Sequence, residues 1–170
     1  MGKVTDIRPR AVSPYFLTVR ARLPLKFGKA RITTDSGATT CARVRMEVVD
    51  AAGNSAEGWG EGVLGVRWSW PSDLSYTERK NTMERFCAML ARAWAHFAKM
   101  GHPIEVGHAF QNQVLPDLLA QLNDERGANA EPMPWLAALI CCSAFDIALH
   151  DAYGVLHNQP VYETYGPGWM

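Results

Sequence analysis

The 170-residue sequence has no excess of charge of either sign: 17 Lys+Arg stand against 17 Asp+Glu, and like charges never run five in a row. So weak a net field draws neither phosphate backbones nor anionic lipid, and neither nucleic acid nor a membrane is an expected partner. Long apolar runs are missing as well. The uncharged stretch from Pro134 to Phe145 stops at Asp146, short of the roughly 20 apolar residues that cross a bilayer. At the start, Met1-Gly2-Lys3-Val4-Thr5-Asp6 has no apolar signal core, and Asp6 stands where a myristoylation signal places Ser or Thr. A cytoplasmic location is expected.

Cysteine is scarce. The four present, Cys41, Cys87, Cys141 and Cys142, form no C-x-x-C and no zinc-type pairing with histidine. Cys141 and Cys142 lie inside an apolar helical run and read as small core residues, which suits a reducing compartment. No G-x-S-x-G, H-E-x-x-H, Walker-type loop or EF-hand loop occurs. Residue by residue, the chain lacks a complete active site, and no cofactor of its own is expected.

What is there belongs to an ordinary globular composition, 48% hydrophobic and 20% charged, enough for one core that buries about 70% of the unfolded surface. The first third alternates with period two. Tyr15, Leu17, Val19, Ala21 and Leu23 oppose Phe16, Thr18, Arg20 and Arg22, as in a half-buried strand. From Cys41 to Val49, Ala42, Val44, Met46 and Val48 oppose Arg43, Arg45 and Glu47. The turn Asp50-Ala51-Ala52-Gly53-Asn54 and a returning strand from Ala56 to Glu61 complete a hairpin. Residues 13 to 61 thus read as a three-stranded antiparallel meander, interrupted by loops at Pro24–Ser36 and Gly62–Pro71, places where a stiff scaffold carries binding residues.

From Ser75 the period becomes helical. Ser75-x-x-Glu78 is a capping box, Met83, Phe86, Cys87, Leu90, Trp94 and Phe97 form a stripe, and Gly101-His102-Pro103 ends it. A second helical stretch passes through Phe110, Val114, Leu118 and Leu122, with Pro116 either kinking it or opening a fresh first turn. The third, Pro134 to Tyr153, is apolar nearly all round, the mark of a central helix. Strands first and helices afterwards argue α+β.

Three groups carry candidate chemistry. Gly60-Glu61-Gly62-Val63-Leu64-Gly65 has the letters of a dinucleotide loop, but Arg67-Trp68-Ser69-Trp70-Pro71 behind it does not read as a helix start, so a plain loop is expected. Arg67, Trp68 and Trp70 suit either stacking on a ligand or packing on protein. Asp146 and His150 share one helix face, with Asp151 beside them and His157 downstream. They suit either a metal or acid–base pair, or a buried carboxylate satisfied by histidine or helix amides. His96, His102 and His108, six apart, fall on different faces or in loops and make no ligand set.

Four segments, in order, carry a resemblance: Leu23-Pro24-Leu25-Lys26-Phe27-Gly28, Gly58-Trp59-Gly60-Glu61, Ser143 to Gly154, and Gln159-Pro160-Val161-Tyr162-Glu163. Together the chain resembles the N-terminal capping domain of the enolase superfamily, in its mandelate racemase and muconate-lactonizing branch. The resemblance implies a cap over residues 1–157, with strands at about 4–62 and helices at about 75–155, and residues 158–170 leading toward a (β/α)8 barrel. It further implies that the barrel, absent from these residues, holds Mg²⁺ and the base that removes the proton next to a carboxylate. The chain alone is then expected to be inactive. The implied lid residues are Lys26, Phe27 and Gly28 in the first loop and Val63, Leu64, Arg67 and Trp68 in the second. Implied partners are that barrel and a small carboxylate or acid-sugar substrate, and a homo-oligomer is allowed. The competing reading is a free-standing α+β binding or assembly module without catalysis.

Overall fold

The computed structural model describes residues 5–23, 26–27, 30–31 and 38–170. Its elements run β1 (Ile7–Arg20), β2 (Lys26–Phe27), β3 (Ala30–Arg31), β4 (Ala38–Asp50), β5 (Ser55–Val63), α1 (Val66–Ser69), α2 (Tyr76–His96), α3 (Pro103–Gln113), α4 (Leu115–Arg126), α5 (Trp135–His157) and a 3-10 turn at Val161–Thr164. Strands β1, β4 and β5 form one antiparallel sheet in the order β1-β4-β5, and β2 with β3 a separate two-stranded hairpin. No barrel occurs among the described residues, and the architecture is the expected α+β.

The central strand is the most regular. Ala42, Val44, Met46 and Val48 are buried on one face, while Arg43 and Glu61, and Arg45 and Glu57, form ion pairs on the other. The β4–β5 turn is built by Asp50, whose carboxylate accepts from the Ala52 amide at 2.9 Å, the Asn54 amide at 2.8 Å and the Asn54 side chain at 2.8 Å. Those bonds, led by the Asn54 side chain, hold the Asp50 carboxyl below its ordinary range.

Strand β1 departs from its expected pattern. It opens at Ile7, which is fully buried, but Tyr15 is 45% exposed, Val19 43%, and Leu23, beyond the strand end, 74%. Alternation reports which side chains share a face. Tyr15 pairs with Arg43 and so lies on the outer, ion-paired face, while Val12, opposite Met46, packs on the core. As an edge strand β1 tolerates Pro9, at a register shift, and Pro14.

Helices α2 and α5 cover the inner face, α2 against β1 and α5 against β5 and β4. The Ser75 side chain accepts from the Glu78 amide at 3.1 Å, one half of the expected box, and Glu78 turns instead to Arg126 at 3.3 Å. Pro116 starts a new helix, α4, directly after α3. Trp94 stacks on Phe110 at 3.8 Å between centroids, with Phe97 edge-on to Phe110 at 5.3 Å.

Helix α5 is central, as its all-round apolarity predicts. Asp146 ends the uncharged run but not the helix, so by length and composition α5 is long and apolar enough to cross a membrane; half of that stretch is buried within the domain. Its small side chains explain the packing. A Cβ at Gly58 would lie 2.1 Å from the Ala152 amide nitrogen, and one at Gly60 2.0 Å from the Ala144 carbonyl oxygen. Glycine at every second position of β5 faces alanine at every fourth position of α5, and the two backbones touch.

Candidate functional site

Both expected lid segments leave the same end of the sheet. Val63, the last residue of β5, pairs with Cys41, which pairs with Leu17 of β1. Beyond it Gly65 takes φ 57°, where a Cβ would meet the Trp68 indole nitrogen at 2.1 Å. This turn admits glycine and little else. The amides of Trp68 and Ser69 donate back to the Gly65 carbonyl at 2.9 and 3.0 Å, and the single turn α1 follows. A helical turn therefore does start in the segment expected to be a plain loop. It is one turn long, and the glycines before it serve contact with α5, so no phosphate loop results.

The sequence-derived lid residues divide. Lys26 and Phe27 form β2, paired with Arg31 and Ala30, and the backbone of β3 lies beside α1, which carries Arg67 and Trp68. Gly28 lies outside the described residues. Val63 is 44% exposed, Arg67 and Trp68 are half-buried, and the Arg67 guanidinium sits 5.8 Å from the Tyr76 ring centroid. Leu64 needs correction. At 1% exposure it belongs to the core, its amide bonded to the Thr40 carbonyl at 3.0 Å, so it anchors the segment and offers no wall to a ligand.

Trp70 separates from the Arg67–Trp68 group. It is buried, donates to Glu131 at 2.7 Å, lies under Arg126 at 5.4 Å, and its carbonyl accepts from Arg79. Hydrogen bonds from Ser72 and Trp70 hold the Glu131 carboxyl below its usual range. For Trp70, packing on protein is the answer.

Asp146 and His150 do share a face of α5, yet the expected satisfied carboxylate is not found. Among the described residues the buried His150 Nε2 has no hydrogen-bond partner, and the half-buried Asp146 meets His150 through charge alone. Burial raises the Asp146 carboxyl and lowers the His150 imidazole, each only partly offset by the charge of the other. The room for Asp146 comes from α3, where a Cβ at Gly107 would fall 2.4 Å from its Oδ1. Asp151 points elsewhere and accepts from the Trp59 amide at 2.8 Å, closing part of the free edge of β5. His157 bonds the Thr5 carbonyl at 3.2 Å. Among the described residues no group of three or more His, Cys, Asp or Glu is placed to hold a metal.

Sequence reasoning missed His102. Buried at the start of α3, it accepts from the Ile104 amide at 3.3 Å through Nδ1 while Glu105 returns to its own amide at 3.1 Å, and its Nε2 lies 3.2 Å from Thr164 Oγ1. The signal was present in His102-Pro103-Ile104-Glu105, where proline at the first helical position and an acid at the third mark a helix start.

No family model matches the chain, and no curated protein sequence matches it. Among solved structures it is similar to an enolase from Bradyrhizobium complexed with magnesium and mandelic acid (15% identity, TM-score 0.48, covering 95% of this chain and 35% of that one). It is also similar to a dipeptide epimerase from Enterococcus faecalis complexed with Mg and L-Leu-L-Tyr (16%, TM-score 0.43, 94% and 35%). A third likeness is to a mandelate racemase/muconate lactonizing protein from Herpetosiphon aurantiacus (16%, TM-score 0.37, 94% and 34%). The chain spans about a third of the length of these proteins.

Proposed function

We propose that this chain is the capping, substrate-facing part of an enzyme of the mandelate racemase and muconate-lactonizing type. In this reading it works over a (β/α)8 barrel that removes the proton next to a carboxylate, as a dehydratase, racemase or cycloisomerase. Its own contribution is to close the pocket, exclude water and hold the part of a small carboxylate or acid sugar remote from the reacting carbon. Magnesium and the proton-transfer groups belong to the barrel. The Asp146–His150 pair is too few ligands for a catalytic ion, and no step is assigned to it.

One observation carries the reading: the β2–β3 hairpin and α1, separated by two full strands in sequence, lie side by side at one end of the sheet. Partly exposed apolar side chains lie at that end, Val19 (43%) and Val63 (44%) on the outer face of the sheet and Phe16 (39%) on the inner one. In this reading Arg67 holds a distal hydroxyl or anionic group and Trp68 forms an apolar wall, beside Val63; Lys26, Phe27 and Gly28 are the further lid residues that the resemblance implies.

The test is exchange of the α-proton of a panel of sugar acids and 2-hydroxy acids in D2O with Mg²⁺, followed by proton NMR. Exchange is expected when the chain is joined to its barrel, weakened by Arg67→Ala and Trp68→Ala, and absent from the chain alone. Exchange by the chain alone overturns the proposal. So does a barrel-joined enzyme indifferent to both substitutions.

A further inference from the structure

Away from the lid, a cleft of about 240 Å³ opens between α5, β5 and the C-terminal segment, lined among others by Trp59, Asp146, His150, Asp151, Tyr162 and Tyr165. Three features make it unlike a casual surface dent. Its aromatic lining is out in solvent: Trp59 is 47% exposed, Tyr165 37% and Tyr162 81%. Among the described residues it carries two carboxylates and neither a lysine nor an arginine. Its floor sets the half-buried Asp146 carboxylate beside the His150 imidazole, whose Nε2 is buried without a hydrogen-bond partner among the described residues. A carboxylate open to the cleft accepts from a donor that enters it.

The volume selects the size of the guest. It is below the range of about 300–1,000 Å³ usual for whole small-molecule ligands, and suits one long side chain. The chemistry selects its kind. A guanidinium is flat, stacks on indole and phenol rings, and points a fork of N–H donors at adjacent acceptors, whereas an ammonium offers a point charge. We propose that this cleft receives an arginine side chain from a partner protein, the guanidinium stacked among Trp59, Tyr162 and Tyr165 and bonded to Asp146. Charge complementarity argues for that occupant, and a rim of exposed aromatic rings is the usual surround of such an anchor. The inference is independent of the catalytic reading, since none of these residues belongs to the lid.

N-acetyl-arginine amide, its neutral isostere N-acetyl-citrulline amide and the tripeptide Gly-Arg-Gly amide are titrated into the folded chain, with two-dimensional NMR of the Trp59 amide and indole resonances as readout. The arginine compound is expected to shift Trp59, with citrulline at least about tenfold weaker, as loss of a charge-assisted pair implies. The tripeptide is expected to bind at least as well as the single amide, because the site is built for a chain-borne group. Asp146→Asn should lower affinity about tenfold. Tyr162→Ala, at a side chain too exposed to matter for folding, should lower it about threefold. Equal binding of arginine and citrulline, shifts that leave Trp59 untouched, a tripeptide excluded from the cleft, or Tyr162→Ala without effect would each overturn the proposal.

Discussion

Substituting Gly60 by alanine tests the contact on which the whole packing of sheet against helix rests. The new Cβ would lie 2.0 Å from the Ala144 carbonyl oxygen, 2.6 Å from the Ala148 amide nitrogen and 3.1 Å from the Ala144 carbonyl carbon. All three are helix backbone and cannot rotate aside, so β5 and α5 must part by more than about 1 Å along their interface. Overpacking in a core costs about 1–3 kcal/mol where side chains can adjust, and a backbone clash belongs at or above the top of that range. The entropy removed from the unfolded chain returns only about 0.4–1 kcal/mol. The expected loss is therefore about 3 kcal/mol, a fall in Tm of about 6–12 °C at this chain length. Gly62→Ala is the matched control. Its Cβ would meet a rotatable hydroxyl, Ser143 Oγ, at 3.3 Å and the Ala144 methyl at 4.0 Å, and the expected change is within about 1 kcal/mol. Urea unfolding followed by far-UV circular dichroism and tryptophan fluorescence gives both numbers. A Gly60→Ala protein within about 0.5 kcal/mol of wild type, or a Gly62→Ala protein equally damaged, would refute the reasoning.

Trp70→Phe keeps most of the buried ring but removes the bond donated to the exposed Glu131 carboxylate at 2.7 Å, leaving Glu131 with Ser72. A lower urea midpoint is expected, with a smaller change if Glu131 has already been replaced by Gln. The pH dependence of stability carries two opposed signatures from the α5 face. Burial lifts Asp146 above its ordinary 3.8, so its contribution is full below that pH and is lost as pH rises through its folded value. Burial lowers His150 below 6.5, so its contribution is full above that pH and is lost as pH falls through its folded value. Asp146→Asn should remove the first slope and leave the second; identical stability-versus-pH curves for the two proteins would contradict this assignment. Cys87, Cys141 and Cys142 are at most 1% exposed and Cys41 5%, with burial raising Cys41, Cys141 and Cys142, the last to about 12. An aromatic disulfide reagent should find no fast thiol in the native protein and all four after unfolding.

The strands β4 and β5 were legible because their alternation is short-range and both faces carry opposite chemistry over several consecutive residues. The start of α2 was legible from Ser75, and the break before α4 from Pro116, since capping and proline sterics act within one turn. The glycines of β5 and the alanines of α5 are also plain in the sequence, but their meaning is not. Period two in one segment and period four in another, about 90 residues away, become a single feature only when the two backbones meet.

What the sequence determined by itself is therefore local: the class of the fold, the order of its elements, and the face on which each side chain lies. Tertiary structure alone decided which of those faces are covered. It turned Tyr15 and Val19 of β1 to the outer face, sank Leu64 and Trp70 into the core while Val63 and Trp68 stayed accessible, and buried His150 Nε2 without a partner among the described residues. Exposure and partnership are properties of what the rest of the chain brings to a residue, and bonds along the backbone carry no record of that arrival.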